Sequence, residues 1–96
     1  MIVQGELGTT DTVLKAAGPA VGTLASVSGM RFRNSSAYVL TVSRYSKKNN
    51  RTDVIYQYTL SAGDTVLDMN AYMLEAGDIL YAKSSITGTT YLVTVN

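Results

Sequence analysis

Ninety-six residues suit one small domain, whose core is modest because a chain this short buries only about 60–65% of its unfolded surface. There is no cysteine and no histidine, so disulfides, thiolate chemistry, the commonest metal ligand and the commonest general base are all excluded. The formal net charge of +1 supplies no global attraction to nucleic acid, and support beyond the core is expected from oligomerisation or from docking on a larger body.

Met1 to Leu7 reads as a short N-terminal arm or an edge strand, with Ile2 and Val3 as its apolar contacts. It has neither the basic start nor the apolar run of a leader, so none is expected. No apolar run approaches the roughly 18–20 residues of a membrane helix. Gly8-Thr9-Thr10-Asp11 reads as a turn, Thr12 to Lys15 as a short strand and Ala16-Ala17-Gly18-Pro19 as a loop.

Leu24 to Arg33 is extended, but its alternation breaks once. Ala25 and Val27 share one parity, and Met30 and Phe32 the other. A β-bulge at Ser28-Gly29 would put all four on one side. Asn34-Ser35-Ser36 is a turn, after which Tyr38, Leu40 and Val42 alternate as an inward set. Arg44, Lys47, Lys48 and Arg51 are half of the eight basic residues, gathered around Asn49-Asn50 in what reads as a hairpin tip. Val54, Tyr56, Tyr58 and Leu60 form the next inward set, with Ile55, Gln57 and Thr59 outward.

A motif then occurs twice. Tyr58 to Val66 and Tyr72 to Leu80 match at five of nine positions, and both contain Ala-Gly-Asp. Glycine reaches positive φ without steric cost and aspartate bonds nearby backbone N–H groups, so Gly63-Asp64 and Gly77-Asp78 read as turns that hand one strand to the next. Met69 to Leu74 has room for one helical turn. Ile79 to Ser84 and Tyr91 to Val95 are the last strands, joined through Ile86-Thr87-Gly88-Thr89. Seven to eight short strands with tight connections make residues 1–96 a single all-β domain, a sandwich or a barrel.

Three sets of side chains invite a chemical reading. Asp64 and Asp78 can act as a carboxylate pair, or join Asp68 and Glu75 around Ca²⁺; the simpler reading is that each aspartate caps its own turn. The basic tip can dock on carboxylates or phosphate, or serve as a solvated hairpin end that resists edge-to-edge pairing. The seven tyrosines can form a sugar platform, but alternating strand positions favour packing, and tryptophan is absent. Asn34-Ser35-Ser36 and Asn50-Arg51-Thr52 match the glycosylation pattern and are read as chance. No phosphate loop, catalytic triad or metal spacing is present, so no enzymatic activity, cofactor or metal is expected.

The order of the pieces resembles a known group. Thr12-Val13-Leu14-Lys15 is followed by Arg33-Asn34-Ser35 and the Tyr38 to Val42 strand. Tyr-x-Leu-x-Ala-Gly-Asp-Thr then begins at Tyr58, x-Leu-x-Ala-Gly-Asp-Ile at Met73 and Tyr-Leu-Val-Thr-Val at Tyr91. This is similar to short virion proteins of tailed bacteriophages. Some of those decorate or cement the capsid, and others are head or tail accessory parts. The resemblance implies a compact antiparallel β-sandwich, jelly-roll-like, without catalytic residues. It implies a homo-oligomer, with a trimer as the expected order, made in the host cytoplasm and carried on the virion against the major capsid protein or another virion protein. Neither nucleic acid nor membrane is an expected partner. A tail, baseplate or fibre accessory module, or a glycan-binding module on a fibre, is the alternative. Attachment is expected at two points: the Arg44–Arg51 tip, and Ile2 and Val3 in a strand added to a neighbour.

Overall fold

The computed structural model describes all residues from Met1 to Asn96. Alternating apolar residues produce eight strands: β1 (Ile2–Glu6), β2 (Thr12–Ala16), β3 (Leu24–Arg33), β4 (Tyr38–Ser46), β5 (Arg51–Leu60), β6 (Thr65–Glu75), β7 (Ile79–Ser84) and β8 (Thr90–Val95). They form two four-stranded sheets, ordered β1-β8-β3-β6 and β2-β7-β4-β5. The pairing is nested. β4 pairs with β5, β3 with β6, β2 with β7 and β1 with β8, all antiparallel. The chain is thus a doubled ribbon whose successive pairs alternate between sheets, and β3–β8 and β4–β7 contacts join the pairs within each sheet. This is the wrap of a jelly-roll-like sandwich.

The inward sets of both sheets meet in one core. Val27, Phe32, Leu40, Val42, Leu74 and Val93 are fully buried there. The β3 alternation breaks at Gly29, whose φ is +95°, and the register shifts between Ser28 and Met30. That bulge turns Ala25, Val27, Met30 and Phe32 all inward, with none more than 6% exposed. Side-chain hydrogen bonds close one end of the sandwich. Asn34 Nδ2 donates to Thr87 O and Thr89 Oγ1, and Thr89 Oγ1 donates to Ser84 Oγ. Asn34 is therefore a buried structural residue.

Two expectations are corrected, and a third resolves to one of its two alternatives. β5 is a sheet edge, so its inward set is only half-covered: Tyr56 and Leu60 are partly buried, and Tyr58 stays 49% exposed. A register shift opposite Val42/Ser43 inserts Ile55 as an extra residue, which swings Val54 to the outer face beside Ser43. Met69 to Leu74 holds no helical turn, because β6 runs unbroken from Thr65 to Glu75. Finally, Met1 to Leu7 is the edge-strand alternative rather than an arm. Ile2 to Glu6 pair with Thr94 to Thr90, Leu7 N donates to Thr89 O, and the Leu7 side chain is 2% exposed in the core.

Candidate partner interface

The two Ala-Gly-Asp turns share one geometry. Gly63 and Gly77 have φ of +81° and +80°. Asp64 N donates to Ser61 O at 3.1 Å and Asp78 N to Glu75 O at 2.9 Å, which closes a turn with glycine at its third position. Each carboxylate reaches back and accepts the N–H three residues earlier, Ser61 for Asp64 and Glu75 for Asp78. Both turns carry the chain from one sheet to the other, so they are corners of the sandwich rather than hairpins.

The second corner does more. Asp78 is buried, and its Oδ2 accepts from Arg44 Nη2 at 2.7 Å while its Oδ1 accepts from Lys47 N at 3.0 Å. Burial alone would raise its pKa; the hydrogen bonds from Arg44, Lys47 N and Glu75 N outweigh that and hold it below the usual carboxylate range. The β4–β5 tip is thereby strapped onto the β6–β7 corner. Arg44 is consequently a structural ion pair and not a free docking cation. Lys47 lays its stem against Gly77, where an added Cβ would lie 2.8 Å from Lys47 Cγ. Arg51 pairs with Asp53 at 3.0 Å, with both side chains largely exposed, and such pairs contribute little. Lys47 and Lys48 keep free ammonium groups, and Lys48 stands beside a shallow groove of about 450 Å³ lined by Val21, Leu24 and Glu75. The tip offers less free charge than its four cations suggest.

Of the two N-terminal contact residues, Ile2 is 63% exposed and Val3 packs partly against the core. The free main-chain edges are β1 and β6 in one sheet and β2 and β5 in the other.

The sequence reading missed the outer face of the β1-β8-β3-β6 sheet. Ile2, Leu24, Leu67, Met69, Met73 and Leu92 stand on it, from 36% to 82% exposed. Arg31 and Arg33 lie at one end of the same face, exposed and without an acidic partner, beside a depression of about 490 Å³. Glu75 lies at the other end, and its carboxylate accepts no hydrogen bond. The signal was available: with the Gly29 bulge placed, Arg31 and Arg33 must point outward, opposite Leu67 and Thr65 of β6.

The carboxylates do not gather into a metal site. Asp68 points inward near the end of the β5–β6 flank. Its Oδ2 accepts from Tyr72 Oη at 2.7 Å and its Oδ1 from Asn70 N at 2.9 Å. Burial would raise the Asp68 pKa, and these donors bring it below its ordinary value. Burial and the Asp68 charge push Tyr72 up to about 12, and push Tyr56 higher still. The Tyr56 hydroxyl is buried next to this carboxylate without a well-formed hydrogen bond. Tyr56 and Tyr58 stack with centroids 5.0 Å apart.

The solved structures similar to this chain include two crystal structures, each of a pentameric capsid protein isolated from metagenomic phage sequences. One superposes with a TM-score of 0.53 at 15% identity and covers 99% of this chain and 61% of that one. The other has a TM-score of 0.52 at 16% identity and covers 99% of this chain and 60% of that one. At this identity the likeness is one of fold. The chain spans about 60% of the length of the structures it matches. No protein-family model and no curated protein matches the sequence.

Proposed function

We propose that the chain is a non-enzymatic structural protein of a bacteriophage virion. Its role is that of a capsid decoration or cement protein that binds the assembled major capsid lattice of a tailed phage. The observation that supports this is the likeness, over 99% of the chain, to phage capsid proteins of the same sandwich fold. The chain's four unpaired sheet edges and exposed apolar face are surfaces for protein contact.

The mechanism is linkage. A protein that binds only the assembled lattice stabilises it by about 2.7 kcal/mol per site at a hundredfold excess over Kd. Homo-oligomerisation belongs to this reading. Free edges on both flanks allow head-to-tail contacts that close a ring, and the likeness to pentameric proteins supports a ring of five over the trimer expected from sequence. The test is occupancy and heat stability of particles stripped of this protein and then reloaded with it. Saturable binding that raises the disruption temperature is expected. Binding confined to tails would move the protein to the tail, baseplate or fibre, and no binding to any particle would refute the reading. The stacked Tyr56–Tyr58 pair, with Tyr58 half-exposed, favours glycan binding on a fibre as the second reading. A glycan-dependent shift of the Tyr58 ring resonances would support it.

A further inference from the structure

The outer face of the β1-β8-β3-β6 sheet is self-complementary. Along β6 the outward residues run Thr65, Leu67, Met69, Ala71, Met73 and Glu75. Arg33 and Arg31 stand beside Thr65 and Leu67, so cations mark one end and the Glu75 carboxylate marks the other. The stretch between them is apolar or small: Leu67 is 66%, Met69 82% and Met73 53% exposed. A two-fold axis lying in the plane of the contact, across the strands at Ala71, exchanges the ends. It lays Glu75 of one copy over Leu67 of the other, within reach of the Arg31 and Arg33 side chains beside it, and Met69 over Met73.

We propose that this face packs against the same face of a second copy of the chain, in an isologous contact. The inference rests on the reading that the protein assembles with copies of itself, and it names a surface that reading leaves open. Three observations carry it. Neither guanidinium and no Glu75 oxygen has a partner within the chain, so the charges are free to pair between copies. Glu6 and Asp64, the other carboxylates near the arginine end, are held by Gly88 N at 2.9 Å and by Ser61 N at 3.1 Å. The area is adequate: strands about 4.8 Å apart, rising about 3.3 Å per residue, make the face roughly 500 Å² in projection. Two copies then bury about 1,000 Å², the lower bound for a specific contact. Sheets stacked face to face at about 10 Å let the exposed methionines interdigitate, and Met fits such adaptable contacts. Ring closure through the flanks leaves this face uncovered, so the two contacts are compatible.

The test is a charge swap read by sedimentation. Glu75→Arg alone, and Arg31→Glu with Arg33→Glu, each place like charges over one another. Each should weaken face-to-face association by roughly tenfold or more. Mixing the two variants should restore it, because opposite charges then meet at both ends. Ala71→Cys is the second arm. The chain has no other cysteine, so oxidation should link copies through positions near the axis, faster than a Lys83→Cys control on the opposite sheet. Swapped variants that associate like the parent, a mixture no tighter than its components, or cross-linking no faster than the control would each overturn the inference. If the parent still forms rings in that case, the assembly reading stands with a different surface. A parent that stays monomeric at every concentration removes both.

Discussion

Gly63 and Gly77 make a controlled pair for measuring what the strapped hairpin tip imposes. Their φ angles differ by a degree, and both sit third in an Ala-Gly-Asp corner. An alanine at either site meets the same left-handed backbone penalty, about 1 kcal/mol. The surroundings differ. A Cβ at Gly63 finds only Arg33 Nη2 at 3.9 Å. At Gly77 it lands 2.8 Å from Lys47 Cγ and 2.9 Å from Lys47 Cβ. Lys47 has little room to retreat, because its own N–H is bonded to the buried Asp78 carboxylate. Overpacking of this kind adds about 1–3 kcal/mol. Gly63→Ala should therefore cost about 1 kcal/mol and Gly77→Ala about 2–4. For a domain of this size each kcal/mol moves Tm by about 4–8 °C. Urea and thermal unfolding of both variants read the difference directly. A cycle with Lys47→Gly isolates the clash: in that background, Gly77→Ala should fall to the cost of Gly63→Ala. Equal costs for the two single variants would refute the argument that the tip presses on the second corner.

Acid should destabilise the fold through Asp78 and Asp68. Both titrate below their ordinary values when folded, so the unfolded chain takes up protons first, and their stabilisation, complete above about pH 4, is lost as pH falls through the folded values. Asp78→Asn should flatten the fall of Tm in that window, and an unchanged slope would exclude Asp78 as its source. Alkali acts with the opposite sign. Tyr72 and Tyr56 are raised when folded, so their contribution is whole below about pH 10 and disappears as pH climbs past it, which a tyrosinate absorbance titration should register as late, cooperative ionisation. Tyr72→Phe should cost about 1–1.5 kcal/mol through the lost bond to Asp68, whereas Tyr56→Phe, which deletes an unpaired hydroxyl, should be close to neutral in denaturant titration. Replacing Lys47, Lys48 and Arg51 by Ser should lower particle occupancy at low salt and flatten its salt dependence, since the Lys47 and Lys48 ammonium groups have no partner in the chain and Arg51 has only an exposed one; unchanged occupancy across the series would remove the tip as a docking point.

Much of the fold was legible because strand grammar is local. The Gly29 bulge could be inferred from the parity change between Val27 and Met30, and the all-β class from turn chemistry alone. What failed was anything that depended on a strand's place in its sheet. Val54, Tyr56, Tyr58 and Leu60 alternate like a buried strand, but β5 has a neighbour on one side only. Nothing within residues 51–60 records that. The Arg44–Arg51 cluster looked free because its partner, Asp78, lies far along the chain on a corner that the tip folds over. The Asp78 turn itself was readable, but its ion pair was not. The candidate docking face was missed for a related reason: Arg31, Leu67 and Leu92 become neighbours only once β3 lies between β6 and β8.

The nesting of the strand pairs has a kinetic consequence. β4 and β5 are neighbours in sequence and can zip from their turn within microseconds, as isolated hairpins do. Every later pair must close a longer loop, and the outermost joins Ile2 to Thr94. Topologies dominated by such distant pairings fold in milliseconds to seconds. On a ribosome, β1 waits without a partner until β8 has left the exit tunnel, and β3 likewise waits for β6. During that wait the main-chain groups of β1 and β3 are bare. Correct pairing and mispairing are therefore in competition, and the first of the eight strands to emerge is the last to find its place.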